Sequence, residues 1–220
     1  MNTTKVIIRF EQVSEQAHGS VRRLVGFMQA KNMLSLFDAA DLEANPRSAK
    51  WGTVTASIVD SINHDQDVFP FKTKGVLVGS SDYEALQRQR YELRFADPAT
   101  EGILDGGHNM LAIGAHILIT ALGDESVVKK LKTWDAFKDA WNENRDAVEA
   151  VKDELTFLVP VELLVPSDIE DDAVVTDFRS ELLDICAARN NNAELTLETK
   201  AYQRGFYEAI KEALPQDVAG

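Results

Sequence analysis

The sequence predicts an α+β fold: a mixed sheet of short strands with flanking helices, in one domain over residues 1–220. Three observations carry that expectation. Short β-branched and apolar runs occur in small groups, and longer stretches with helical spacing separate the groups. Of the 220 residues, 45% are hydrophobic, enough to bury a real core. No internal repeat or low-complexity linker divides the chain. Within the domain, the core is expected over about residues 45–215, with residues 1–44 as an N-terminal strand–helix extension.

Lys5-Val6-Ile7-Ile8-Arg9-Phe10 reads as a strand. Ser20 is placed to cap a helix through Val21, Leu24, Val25 and Met28 as far as Leu36. Asn45-Pro46-Arg47-Ser48 breaks the chain, and a helix is expected from about Ala49 to Asn63 with Val54, Ile58 and Ile62 on one face. After Pro70, Gly75-Val76-Leu77-Val78-Gly79 reads as a buried strand, and Ser80 to Gln87 as a polar, helical excursion. Tyr91 to Phe95 alternates as a strand with one wet face, Asp97-Pro98 turns it, and Gly102 to Asp105 returns as a short strand. A helix from about His108 to Leu122 ends at Gly123. Another runs from Asp135 to about Val151, with Trp134, Phe137, Trp141 and Val148 inward. Leu155 to Val165 is a long strand that Pro160 breaks or confines to an edge. Ser167 or Asp168 caps an acidic helix to about Ala188, Asn190 to Asn192 turn, and Glu198 to Leu214 forms a last helix.

The net charge is −13 and unevenly spread. Between Asp168 and Asp184, seven acids (Asp168, Glu170, Asp171, Asp172, Asp177, Glu181, Asp184) face one base, Arg179. Such a helix repels phosphate backbones, which excludes broad nucleic-acid binding through it. It is either a solvated face or a docking surface for a protein partner. No apolar run is long enough for a membrane helix, so no membrane partner is expected. Strand-like residues follow Met1 closely, without a signal-peptide pattern, and the lone Cys186 suits a reducing compartment. A cytoplasmic location is therefore expected. Cys186 lies on an apolar helical stripe and reads as a structural thiol.

Phosphate-loop, hydrolase, dehydrogenase and Cys-x-x-Cys motifs are absent, and His18, His64 and His116 have no metal-ligand spacing. The most specific segment is Ile103-Leu104-Asp105-Gly106-Gly107-His108-Asn109. A strand runs into two glycines and then a helix. Glycines admit close backbone approach, and the first N–H groups of a helix have no partner within it, so such a turn can hold an anion. His108 and Asn109 are expected to face the same space. The plain alternative is a bend in which Asp or Asn caps the helix. Lys74, before Gly75, offers a cation close by. Arg189, Asn190 and Asn191, with Lys200, Gln203 and Arg204, form a second polar, basic stretch.

Four stretches in order carry a resemblance to a known family: Ala49-Lys50-Trp51-Gly52 to Ile62, Phe69 to Val78, Gly102 to Asn109, and Ala187 to Asn192 followed by Gln203-Arg204. Over residues 45–215 they resemble the N-terminal part of the abortive-infection phage-resistance (AIPR) proteins. The Asp105–Asn109 turn is also similar to the DGQHR motif of DNA-phosphorothioation regulators and, more distantly, to the phosphate-holding turn of ParB and sulfiredoxin. The resemblance implies a ParB/sulfiredoxin-like core acting in phage defence or DNA-modification control. Its ligand would be a nucleotide or nucleic-acid phosphate held by Asp105, Gly106, Gly107, His108 and Asn109, with Lys74, Arg189, Asn190, Asn191 and Arg204 around them. Magnesium enters only for a catalytic member, a ParB-like nuclease drawing on Asp105, Asp97 and Glu101. DGQHR and ParB-type turns end in arginine; Asn109 gives neutral hydrogen bonds instead, as the Thr of AIPR-type turns does. The other reading is a non-catalytic interaction module that docks a partner on the acidic 168–184 helix.

Overall fold

The computed structural model describes residues 5–39, 44 and 49–189. Asn45 to Ser48, Asn190 to Asn192 and the helix expected over Glu198 to Leu214 lie outside the described residues. The fold is α+β, with two sheets and helices against them.

The smaller sheet has the strand order β1-β6-β5, with all neighbours antiparallel: β1 (Lys5–Arg9), β6 (Arg90–Arg94) and β5 (Asp82–Leu86). Val6 and Ile8 point into the core while their neighbours stay exposed, the period-two alternation of a half-buried strand. The wet side is held by ion pairs from the Arg94 guanidinium to Asp82, Glu84 and Glu92. Residues 80–87 thus depart from the helical expectation, and β5 occupies most of them.

The larger sheet has the order β2-β3-β8-β4-β7: β2 (Gln12–His18), β3 (Val21–Gln29), β8 (Leu158–Pro166), β4 (Val76–Gly79) and β7 (Gly102–Asp105). The helix expected from Ser20 to Leu36 is instead mostly β3, followed by a tight helical turn at Ala30–Met33 and the short α1 (Leu34–Ala39). The apolar residues of β3 suit a strand covered on both sides: Leu24 and Met28 enter the main core, and Val21 packs in a smaller cluster on the opposite face. β3 runs antiparallel to β8 along its whole length, from Val21↔Pro166 to Gln29↔Leu158. Residues 5–39 therefore belong to the sheets and the core rather than flanking them. Pro160 sits in a central strand, not at an edge. It lies opposite Phe27, and parallel pairing with β4 begins only at Val76↔Val161, so the ladder yields little to its missing N–H.

On the main-core face, Val76, Val78, Ile103, Val161 and Leu163 pack beneath α4 (Gly107–Leu122), a helix buried at every position from Met110 to Leu118. An aromatic group of Phe37, Trp134, Phe137 and Trp141 closes the core behind it. Residues 135–151 form two helices, α6 (Trp134–Glu143) and α7 (Arg145–Ala150), because Asn144 leaves helical geometry and bonds back to Ala140. α2 (Thr53–His64) buries Thr55, Val59 and Ile62, while Val54 stands 58% exposed, so its inner face is rotated from the expected one. Thr55 is tolerated inside because its hydroxyl donates to the Lys50 carbonyl at 3.1 Å. Two short helices, α3 (Phe69–Lys72) and α5 (Glu125–Lys129), complete this side.

The second face of the larger sheet carries Leu77, Leu104 and Leu164, and α8 (residues 172–189) seats Phe178 and Leu182 on them. Asp171 caps α8, its carboxylate accepting from the Ala173 N–H at 2.9 Å. Among the described residues no helix is long and apolar enough to cross a membrane.

Candidate functional site

The glycine turn lies where β7 meets α4. β4 and β7 pair as Val78↔Ile103 and then Leu77↔Asp105, so Leu104 is the extra residue of a β-bulge, which re-aims the end of the strand. Gly106 follows in the left-handed region, at φ 89° and ψ 20°, and forms the N-cap of α4. A Cβ there would lie 2.4 Å from the Gly75 carbonyl oxygen and 3.0 Å from Val76 Cα. Glycine is thus required twice, by conformation and by the start of β4 passing against it. No side chain caps α4, and its first turn contains no acid.

The polar residues of the turn are partly committed to holding it. The Asp105 carboxylate accepts from the Gly106 N–H at 2.7 Å. The Asn109 side-chain amide donates to the Gly75 carbonyl at 2.7 Å, tying the helix to the start of β4. His108 Nδ1 stands 3.4 Å from the buried Thr55 hydroxyl, a long contact directed towards α2. Asn109 and His108 therefore reach towards β4 and α2 respectively, rather than sharing one space beyond the helix end. Lys74 is exposed immediately before Gly75, at the same end of the sheet. An anion at this end would meet backbone N–H groups and Lys74, with the three polar side chains holding the turn.

Of the second basic stretch, only Arg189 is among the described residues; Asn190, Asn191, Lys200, Gln203 and Arg204 lie outside them. Arg189, at the end of α8, donates to the Glu162 carboxylate at 2.7 Å, and Arg23 of β3 donates to the same oxygen at 3.0 Å. Burial opposes the charge on Glu162, but the two guanidiniums hold its carboxyl below the ordinary range. Glu162 lies opposite Leu77, which lies opposite Asp105, so the row places the Arg189 pair two strands from the turn. Glu162 went unnoticed in the sequence because a single acid in an apolar strand gives no pattern.

Two carboxylates considered with Asp105 serve the fold elsewhere. Glu101, 3% exposed at the other end of β7, accepts from the Ser81 N–H at 3.2 Å and the Ala96 N–H at 2.8 Å. Asp97 accepts from Ala99 and Thr100 within its own turn. Among the described residues no group of three or more His, Cys, Asp or Glu side chains could hold a metal ion. His116 is buried between α2 and Phe157, 2.8 Å from Asn63 Oδ1, and burial pushes its pKa down. All seven acids from Asp168 to Asp184 are exposed, as is Leu183 among them.

The chain matches no family model, no curated protein and no solved structure.

Proposed function

We propose that this chain binds a nucleotide or nucleic-acid phosphate at the Asp105–Asn109 turn, as an AIPR/ParB-like domain acting in phage defence or DNA-modification control. The observation that carries the reading is the N-terminus of α4. It is a sixteen-residue helix with no side-chain cap, entered through a left-handed glycine. The first N–H groups of such a helix and its dipole favour a negative ligand. Lys74 adds the cation, whereas Arg189 is engaged by Glu162 two strands away. Asp105, His108 and Asn109 act as positioning residues that hold the turn against β4 and α2. The resemblance of Asp105-Gly106-Gly107-His108-Asn109 to turns that hold phosphates supplies the ligand class and the biological setting.

A thermal-shift panel of ATP, GTP, CTP, UTP and short DNA, with and without magnesium, tests the reading. A ligand at 100-fold its Kd adds about 2.7 kcal/mol, or about 5–10 °C in a chain of this size. The shift should appear in the wild type and be lost in Lys74→Glu, whose side chain is exposed and not part of the core. No shift with any of these ligands, with both proteins folded, overturns the proposal.

A second reading has its own observation: the uniformly exposed acids of α8 with Leu183, 51% exposed, in their midst. In it the turn is structural and α8 docks a basic partner. Reversing Asp172, Asp177 and Asp184 to lysine should then abolish co-purification of that partner; retained co-purification ends the reading.

A further inference from the structure

The exposed face of the smaller sheet divides its charges unevenly along the strands. At one end each base meets an acid: Arg94 pairs with Asp82, Glu84 and Glu92, and Lys5 pairs with Glu92. At the other end Arg9 of β1 lies directly opposite Arg90 of β6, and Arg88 stands in the loop that joins β5 to β6. All three arginines are exposed. Among the described residues none of them has an ion pair, and Arg90 donates only to the Gln87 carbonyl of its own loop, at 3.0 Å. Like charges directly opposite in a sheet repel. Arg88 and Gln89 also hold the left-handed region, at φ 62° and 56°, where residues other than glycine are uncommon. An anion from outside the molecule would offset the repulsion that no described residue offsets. Ile7, 46% exposed, adds an apolar side chain beside Arg9 on the same face.

The chain also carries the complementary surface. α8 exposes Asp172, Asp177 and Asp184, with Leu183 51% exposed among them. α8 lies on the second face of the larger sheet, whereas the smaller sheet sends Val6, Ile8 and Leu93 into the core on the other face. The larger sheet thus separates the arginines from the acids, and they cannot meet within one molecule. Between two molecules they can. A nucleic acid on the arginines would bring further phosphates against a chain of net charge −13. α8 instead presents a short acidic segment with one apolar residue to match Ile7. Repulsion between the net charges of two copies is screened beyond about 8 Å at physiological salt, and contacting pairs are screened less. We propose that the Arg9–Arg88–Arg90 end of one copy docks on the acidic face of α8 of a second copy. The contact is independent of the phosphate reading at the turn; it rests on the reading of α8 as a docking helix and names its basic partner. Each copy keeps one surface of each sign free, so the contact is head-to-tail and propagates.

Sedimentation velocity on the full chain tests this. At about 100 mM salt the weight-average sedimentation coefficient of the wild type should rise roughly 1.4-fold or more between about 10 and about 300 µM, and the rise should vanish in about 1 M salt. Two variants are then made at exposed residues: Arg9→Glu with Arg88→Glu and Arg90→Glu, and Asp172→Lys with Asp177→Lys and Asp184→Lys. Each alone sets like charge against like and should stay monomeric. An equimolar mixture restores opposite charges across the contact and should associate as the wild type does. A wild type that is monomeric throughout overturns the proposal, and co-purification then decides whether α8 has a foreign basic partner. Association that either variant retains alone, or a mixture of two folded variants that stays monomeric, overturns it as well. A monomeric wild type that binds a labelled single-stranded oligonucleotide, with binding lost in the arginine variant, would assign the hairpin to nucleic acid instead.

Discussion

Replacing Gly106 by alanine tests the geometry of the turn through two separable costs. The first is conformational: the residue sits at φ 89°, and an L side chain in the left-handed region costs about 1–2 kcal/mol. The second is steric: the new Cβ lies 2.4 Å from the Gly75 carbonyl oxygen, so the start of β4 must move. Overpacking of this kind costs about 1–3 kcal/mol. Gly123 is the matched control, because it is also left-handed, at φ 66°, but a Cβ there meets nothing within 4 Å. Gly123→Ala should therefore carry the conformational cost alone. At roughly 3 °C per kcal/mol for a domain of this length, Gly106→Ala should lower the melting temperature by about 6–15 °C and Gly123→Ala by about 3–6 °C. Scanning calorimetry on the two variants and the wild type reads both. If Gly106→Ala costs no more than Gly123→Ala, β4 does not pass against the turn, and the site as described is wrong.

Three further outcomes follow from buried groups. Because burial lowers the pKa of His116, the unfolded chain takes up its proton first. Stability from this group is complete above about pH 6.5 and falls as pH drops towards the folded value, by at most about 1.4 kcal/mol per pH unit. Urea denaturation at pH 7.5 and 5.5 should show a larger loss in the wild type than in His116→Gln; equal losses contradict the buried, neutral imidazole. Glu101→Gln presents an amide N–H₂ to one of the two backbone donors that the carboxylate now satisfies, at Ser81 and Ala96. It should cost about 2–3 kcal/mol by denaturant titration, whereas a near-neutral result would place this carboxylate in solvent. Phe178→Ala empties the fully buried anchor of α8 and should cost about 3–5 kcal/mol; a loss under about 1 kcal/mol would mean that α8 does not cover the second face.

What the sequence discloses about this fold depends on how the chain marks its corners. β7, α4 and its end are legible because glycines stand at both left-handed positions, Gly106 and Gly123, around one long apolar run. β4 is legible as a short, wholly apolar strand before Gly79. β3 is misread because Val21, Leu24, Val25 and Met28 fit a helical stripe equally well when both faces of a strand are covered. The signals against a helix are the two-residue turn Gly19-Ser20, joining His18 to Val21, and Gly26, where a Cβ would strike the Gln12 carbonyl at 2.0 Å. β5 gives no such signal. Its turn to β6 uses Arg88 and Gln89 at positive φ, residues that do not advertise a hairpin. At the candidate site, the glycines and the bend they make are readable from sequence. The partners of Asn109 and His108 are not, because Gly75 and Thr55 come together with them only through tertiary packing.

The central claim is that the first N–H groups of α4 receive a phosphate. Titrating the ¹⁵N-labelled full chain with ATP, and separately with inorganic phosphate, while following backbone amide resonances tests it most directly. The account predicts the largest, saturable shifts at Gly107, His108 and Asn109, with smaller ones at Lys74 and Gly75, and their disappearance in Lys74→Glu. Saturable shifts centred elsewhere, or none at millimolar ligand, would contradict it.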